Sequence, residues 1–534
     1  VECPPIIKTI IDNYLAIEDP NKFFNPAYKK RFWDGYHRFY DIKTSRIPVG
    51  LTTYLKCLLE MKARFTRFNF CVKVVDFREL DIRKNELNPN MLNGITLRDT
   101  QLKAIDKLVN CELPLLGSLS AVTGIGKTEI LCALIKMLPH KILLVAPDVG
   151  LAKQLYDRLI LRGISAGLFT GKEDTELDNL VTVANIQMIY SRLKKYANFS
   201  KGKNKKILSY NSSYYIDFIR SLKGIFVDEV HFASAASYLE LFKLAGNCVY
   251  RLGVSATPIK ANQLVDLQMM GAIGTIMHKI SFQDAKKEGS VSIPEYYFYK
   301  GCNYTKDTVI YKAYADEMKI ELEKFNVGTP EYAKFKKTIK TKADYHMMYN
   351  ANIVNNEDRN DKIIESTKRC VEADLKCLVF VTKIEHGEVL SSRLSELNIR
   401  NQFLQGGDSV ADREEAKGYF EDKELKVLIV TKIFDAGVDL DGGTDVVILA
   451  NGGKSRVGIQ QRIGRGSRLH KDGFNRFLVI DFIDKYKYLC THTSYRKTVL
   501  EYFDFELDIA TNYDFISNFI KKKTKYKNKQ EGGE

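Results

Sequence analysis

The chain has 534 residues, 45% of them hydrophobic and 28% charged, with a formal net charge of +15. That length exceeds what one hydrophobic core organises and fits two to four domains. The longest apolar runs, LVTVANI and IFVDEV, have the length of buried strands and fall far short of the roughly 20 residues of a membrane helix, so no membrane partner is expected.

A basic balance points towards a polyanionic partner, because Lys and Arg displace condensed counterions from phosphates; a solvated basic face gives the same sum. No basic, apolar leader pattern opens the chain, and Val1 in place of Met points to a processed or omitted start. The ten cysteines stand singly, without CxxC pairs or His clusters. They read as buried, reduced thiols of a cytoplasmic protein.

Residues 1–92 mix aromatic and basic side chains, most densely in YKKRFWDGYHRFYDIKTSR, and end in the linker-like NELNPNMLNG. They are expected to form a small N-terminal nucleic-acid-binding domain. Over 93–290, strand-like runs (ILLVAP, LVTVAN, GIFVDE, YRLGVSAT) alternate with helix-like stretches, the βαβ rhythm of a parallel sheet covered on both faces. Residues 291–356 are rich in Tyr and Lys and read as a connector or insertion. The rhythm returns over 357–490 (CLVFVT, VLIVTK, DVVILA, RFLVID). Residues 491–534 read as a helical end with a disordered basic tail, KKKTKYKNK. The two α/β zones read as two copies of one fold.

The first chemical signal is SLSAVTGIGKTEIL, where Ala121 to Thr128 spell A-x-x-G-x-G-K-T. This is the phosphate-loop spacing with Ala at the first small position. Gly124 and Gly126 permit a tight backbone whose N–H groups point at phosphates, Lys127 reaches the β- and γ-phosphates, and the Thr128 hydroxyl ligates Mg²⁺. About one hundred residues on, GIFVDEVH reads as a buried strand whose end delivers Asp228 to the metal and Glu229 to the attacking water. An isolated acidic pair would be a surface couple; behind this strand and this loop it is not. Upstream, in ITLRDTQLKAI, Gln101 carries a carboxamide able to pair with an adenine edge.

The second signal is GIQQRIGRGSR, with Arg462, Arg465 and Arg468 at three-residue intervals. On a helix these lie near one face, so two guanidiniums converge on one anion. Arg465 and Arg468 are the expected fingers on the γ-phosphate, with Gln461 beside them. Before it, VLIVTKIFDAGVDL offers Asp439 to a ribose hydroxyl, with Thr431 and Gly437 along the cleft or the nucleic-acid path; ordinary strand-end turn residues are the competing reading.

In order, LRDTQ, AVTGIGKTE, VAPDVGLAKQ, FTG, DEVH, SAT, VFVTK, LQGG, VTKIFDAGVDL and QQRIGRGSR resemble the motifs of superfamily 2 helicases. DEVH resembles the DExH branch. DAGVDL, with Ala436, is more similar to DNA remodelling motors of the RecG and XPB kind than to DEAD-box proteins. KKRFWDGYHRFYDIKTSRIPVGLTTYLKCLL, EHGEVL and NGGKS resemble the UvsW-type bacteriophage helicases, although YANFSKGKNKKILSYNSSYY looks longer than that family requires.

The resemblance implies an α/β protein with two tandem RecA-like parallel-sheet domains and a small N-terminal α+β domain. It implies an ATP- and Mg²⁺-dependent helicase acting on forks, D-loops, R-loops and junctions in recombination, repair or replication, in the host cytoplasm if phage-encoded. It places Arg98, Gln101, Thr123, Gly124, Ile125, Gly126, Lys127, Thr128, Glu129, Gly437 and Asp439 at the nucleotide. His231, Ser255, Ala256 and Thr257 couple the two sites. Lys29, Lys30, Arg31, Trp33, Pro147, Gly171, Gln187, Thr382, Gln405 and Thr431 lie on the nucleic-acid path. Three alternatives stay open: a double-strand translocase that never unwinds, a helicase for RNA or RNA–DNA hybrids, and an annealing module that uses ATP only as a switch.

Overall fold

The structure, a computed structural model, describes residues 1–65, 71–77, 86–111, 115–171, 179–201, 206–210, 213–260, 262–306, 309, 327–329, 344–431 and 443–531. Two compact units divide at 281/282.

In the first unit, β1 (Ala16–Glu18) and β2 (Tyr36–Arg38) form a short antiparallel hairpin beside helices Pro5–Tyr14 and Thr52–Phe65. Ile7, Ile11, Leu15, Tyr40, Leu55, Leu58 and Leu59 give this module its own small core. It rests on the following α/β part through Gly50, whose backbone lies too close to the carbonyls of Met270 and Gly271 to leave room for a β-carbon.

The strands that follow are β3 (Leu116–Ala121), β4 (Ile142–Ala146), β5 (Gly167–Phe169), β6 (Val181–Asn185), β7 (Ala197–Lys201), β8 (Lys206–Tyr210), β9 (Gly224–Asp228), β10 (Tyr250–Ser255) and β11 (Ile276–Ile280). Seven of them make one parallel sheet in the order β11-β3-β10-β9-β4-β6-β5. Every residue of β3, β4, β6, β9 and β10 is buried. That is why these strands read as unbroken apolar runs: helices cover both faces. The long YANFSKGKNKKILSYNSSYY stretch contributes β7 and β8, an antiparallel hairpin outside the sheet.

The second unit carries β12 (Ile293–Tyr299), β13 (Cys377–Phe380), β14 (Asn401–Leu404), β15 (Val427–Val430), β16 (Val446–Leu449), β17 (Arg476–Phe482) and β18 (Leu507–Ala510). Its sheet is also parallel, ordered β14-β15-β13-β16-β17-β12-β18. Two expectations are corrected here. The start of the supposed connector is β12, paired along its whole length with β17. Its consecutive Tyr296, Tyr297, Phe298 and Tyr299 hid it among what looked like linker composition.

The basic tail is helix Asp514–Glu531. Phe515, Ile516 and Phe519 pack into the core of this unit, each contributing roughly 1.5–3 kcal/mol by burial. Lys523 is buried with them, paired to Asp445 and, at 3.0 Å, to Asp472. The cysteine expectation is corrected in part: Cys132, Cys248, Cys302, Cys370 and Cys377 are buried, but Cys57, Cys71 and Cys490 are exposed. Among the described residues no helix is long and apolar enough to cross a membrane.

Candidate nucleotide site and arginine turn

The chain order of the first sheet brings its chemistry together. β10 lies between β3 and β9, and all run parallel, so the loops after Ala121, Asp228 and Ser255 leave the same edge side by side. After β3, Gly124 and Gly126 take φ of 87° and 82°, a left-handed backbone that a β-carbon resists. Gly126 caps helix Lys127–Met137. The first-turn N–H groups and Lys127 thereby face the space in front of the strands, an arrangement suited to phosphate.

Gln101, the expected adenine reader, has its carboxamide engaged within the chain. It is buried, its Nε2 donates to the Ile125 carbonyl at 2.8 Å, and its Oε1 accepts from the Arg98 backbone N–H at 2.9 Å. Both ends of the carboxamide are engaged within the chain, so Gln101 clasps the phosphate loop from behind, with the Arg98 guanidinium 3.5 Å from the same carbonyl. Glu129 is also diverted. Its two oxygens accept from Arg162 at 2.8 and 3.0 Å and from Arg158 at 3.2 Å, while Arg162 also donates to the Asn93 carbonyl. Glu129 therefore anchors the helix that follows the loop, and is corrected from nucleotide contact to positioning residue.

At the end of β9, Asp228 is buried and Glu229 half-buried beside it, both within the influence of Lys127. Burial and then the neighbouring Glu229 charge push the Asp228 carboxyl well above the usual range, with Lys127 pulling the other way. Burial acts upward on Glu229 too, but hydrogen bonds from His231 and Ser255 and the charge of Lys127 outweigh it and hold the group low. Glu229 has φ 50°, an uncommon conformation for a residue with a β-carbon. Its Oε2 accepts from the Ser255 hydroxyl at 2.9 Å and lies 3.1 Å from His231 Nδ1; Ser255 Oγ in turn receives the Thr257 N–H at 3.1 Å and lies 3.0 Å from that ring nitrogen. His231, Ser255 and Thr257 are thus one buried network on Glu229, with Ala256 half-exposed between two of them.

The donor set fits a nucleotide with a hard divalent cation. Two carboxylates outnumber the single lysine, and the Thr128 hydroxyl and Asp228 carboxylate are the oxygen donors such a cation takes. Glycine is required in the loop, because Gly124 and Gly126 are left-handed and a β-carbon at Gly126 would stand 2.6 Å from Gln101 Nε2.

The remaining first-unit candidates fall on the same sheet edge. Thr123 and buried Ile125 are in the phosphate loop, Pro147 follows β4, Gly171 follows β5, and Gln187 follows β6 with its Oε1 accepting from Asn185 at 3.3 Å. In the second unit Thr382, Gln405 and Thr431 follow β13, β14 and β15, again on one edge. Gly437 and Asp439 lie outside the described residues. In the N-terminal module Lys29, Lys30 and Arg31 are exposed, whereas Trp33 is partly buried and donates from Nε1 to the Tyr36 carbonyl at 2.8 Å.

The arginine element departs from expectation. Its helix spans Arg456–Gly464 and stops there, so Arg465 is the C-cap and Arg468 lies beyond the helix. The three arginines do not share one helical face. Gln461 and Arg462 are buried, Arg462 over the Phe380 ring at 5.7 Å, while Arg465 and Arg468 are partly exposed. The turn is pinned by Ser292, whose N–H and hydroxyl donate to the carbonyls of Ser467 (2.8 Å) and Arg468 (2.6 Å).

The loop before this helix is held from behind by groups that motif reading missed. Arg359 donates to the Ala450 carbonyl (2.8 Å), the Tyr349 hydroxyl to that of Asn451 (2.5 Å), and Arg496 to that of Gly453 (3.1 Å). Both arginines are buried on Asp484, at 3.2 and 3.1 Å, and Arg496 also on Asp481 at 2.8 Å. Ser455 then caps the helix at Gly458 N. The DFID run at the end of β17 was the available signal, since two buried acidic residues there need buried cations.

Comparisons with known proteins identify helicase domains in both units. A family pattern described as the type III restriction enzyme res subunit matches residues 94–260, and the helicase conserved C-terminal domain matches 358–470. A protein provisionally named helicase 22, from Sulfolobus islandicus filamentous virus, is 22% identical over 489 residues, covering 87% of this chain and 80% of its own. The DNA 3'-5' translocase XPB2 of Sulfurisphaera tokodaii is 22% identical over 406 residues, covering 73% and 83%. Among solved structures, S. cerevisiae Dbp5 bound to RNA and ADP BeF3 superposes with TM-score 0.52 at 14% identity, over 80% of this chain and 94% of that one. T4 UvsW aligns over 96% of this chain and 97% of its own at 17% identity, with a TM-score of 0.41. The two parallel sheets are RecA-like domains in tandem, and the chain belongs to the superfamily 2 helicases, as a nucleic-acid-dependent ATPase of the helicase and translocase class.

Proposed function

We propose that this motor uses ATP and Mg²⁺ to unwind or remodel branched DNA, as in forks, D-loops, R-loops and junctions, in recombination, repair or replication. The observation that carries the branched-DNA reading is the N-terminal module: a separate small core attached to a complete motor, presenting the exposed cations Lys29, Lys30 and Arg31. None of the ion pairs among the described residues involves these three. The viral relative supports a host-cytoplasm setting, and the relative named a DNA translocase favours DNA over RNA.

In this reading Lys127 neutralises the β- and γ-phosphates, and Thr128 with Asp228 holds the metal, which supplies charge stabilisation on the transferring phosphoryl group. Glu229 orients the attacking water, with its own orientation fixed by Ser255 and His231. Thr257 passes a change at Glu229 to the chain after β10. Arg465 and Arg468, with Gln461, stabilise charge on the γ-phosphate. Pro147, Gly171, Gln187, Thr382, Gln405 and Thr431 supply backbone and side-chain contacts to the strand.

The test is ATP turnover and strand separation across single strands, blunt duplex, forks, four-way junctions and RNA–DNA hybrids. Forks and junctions should stimulate most and be unwound. Equal stimulation by blunt duplex without strand separation would instead favour a double-strand translocase, and a preference for hybrids would move the substrate to RNA-containing forms.

A further inference from the structure

An open cleft of about 820 Å³ in the N-terminal module is lined by Phe23, Tyr28, Lys29, Arg31, Phe32, Trp33 and Asp34. Phe23 is 62% exposed and Phe32 83% exposed. Single exposed apolar residues are ordinary. Two phenylalanines sharing one cleft with two cations are not, and the local fold is built to present them.

Asn25 caps the short helix Pro26–Lys29 by accepting from Ala27 N at 2.9 Å. The chain then turns sharply: Phe32 N bonds back to the Ala27 carbonyl at 2.8 Å, and Arg31 takes φ 58°. That left-handed conformation is costly for a residue with a β-carbon, and here it accompanies a ring turned into solvent. Beneath the rings, Lys22 pairs with Glu18 and lies 5.3 Å from the Phe23 centroid, 5.2 Å from Tyr28 and 5.7 Å from Tyr36. Gly35, at φ 87°, makes this possible, because a β-carbon there would stand 2.6 Å from Lys22 Cδ and 3.1 Å from the Tyr28 ring. Trp33 forms a fixed wall, tied to Tyr36 and with its ring 5.2 Å from His37.

Charge completes the picture. Arg38 is committed to Asp34 at 2.6 Å and Asp12 at 3.5 Å. Lys29 and Arg31 line the cleft and are exposed, as is Lys30 between them in the chain.

We infer that this cleft is a stacking site for an unpaired nucleobase, with Phe23 and Phe32 offering ring faces and Lys29, Lys30 and Arg31 taking the flanking phosphates. An apolar π-surface rimmed by cations matches one unpaired base with its backbone, whereas a paired base keeps its faces inside the stack. The inference rests on the reading of the chain as a nucleic-acid motor, and names the element that meets the unpaired base at a branch.

Trp33 is the only tryptophan in the chain, so its emission reports on this cleft alone. With the full-length chain, oligo-dT and a fork with single-stranded arms should change Trp33 emission saturably, and a blunt duplex of equal length should not. Phe32→Ala should weaken binding to both responsive ligands about ten-fold, Phe32→Leu equally, and Phe32→Tyr little. Because Phe32 is solvent-exposed, thermal unfolding of these variants should match the parent chain. Phe32→Leu binding like the parent would reduce the site to apolar bulk and overturn stacking, as would an equal Trp33 response to blunt duplex. If nucleic acid stimulates ATP turnover while Trp33 stays silent, this inference fails alone; if no nucleic acid stimulates turnover, the motor reading fails.

Discussion

The nucleotide loop of the first unit and the arginine turn of the second are fixed in opposite ways. The loop's own conformation is set by short-range means, a buried strand, two left-handed glycines and a helix start, while its acidic neighbours arrive on a parallel strand about one hundred residues on. Its supporting network of Glu229, Ser255, His231 and Thr257 spans two consecutive strand ends. The arginine turn depends on partners far along the chain. Ser292 fixes its exit from 176 residues away, and Tyr349, Arg359 and Arg496 hold its entry at sequence separations of 102, 91 and 43. A local motif can therefore specify the loop of the first site, while the arginine turn is positioned by the whole fold of its unit.

That contrast can be broken most decisively at the loop. Lys127→Ala should reduce ATP turnover by roughly 10³-fold or more with unchanged circular dichroism, since it removes the charge on the phosphates and nothing in the core. Turnover like the parent chain would dissolve the phosphate-loop assignment. Arg465→Ala should slow hydrolysis by about 10³-fold while nucleotide affinity holds, the signature of a group acting as charge develops. An affinity loss with unchanged maximal rate would deny it that role.

Lys523→Ala should lower the stability of the second unit by about 3 kcal/mol in urea unfolding, because it leaves Asp445 and Asp472 without their buried partner. Truncation from Lys521 onward should do the same, so lost DNA binding in that variant must be separated from lost folding. A truncated chain as stable as the parent would show that the helix end is not needed for the fold. The smallest effect sharpens the comparison. Tyr349→Phe deletes one hydroxyl on the Asn451 carbonyl and should cut the maximal hydrolysis rate by roughly five- to ten-fold, with nucleotide affinity and unfolding midpoint unchanged. An unchanged rate would mean that the loop before the arginine helix holds its place without this bond.

Much of the fold was legible because burial on both faces forces parallel strands into continuous apolar runs, and such runs stand out without any alignment. β12 and helix Asp514–Glu531 escaped for one shared reason. In both, polar or basic composition outweighed a short apolar set: Tyr296 and Phe298 in the strand, Phe515, Ile516 and Phe519 in the helix. The latter three stand at helical spacing, a signal that the lysine run obscured.

The site divides along the same line. Sequence by itself determined the left-handed glycine turn between β3 and its helix and the acidic pair at the end of β9, because glycine placement and a strand-end carboxylate are local demands of backbone geometry and charge. Only tertiary structure decided what the intervening polar groups do. Gln101 and Glu129 look like nucleotide contacts by position, yet the fold engages the first on the Ile125 carbonyl and the second on Arg158 and Arg162. Likewise the end of the arginine helix at Gly464 is set alongside the distant bonds of Ser292 to Ser467 and Arg468, so three-residue spacing did not become a shared face. A hydrogen-bonding side chain is satisfied by whatever partner packing brings within about 3 Å, and that partner is written in the fold rather than in the neighbouring residues.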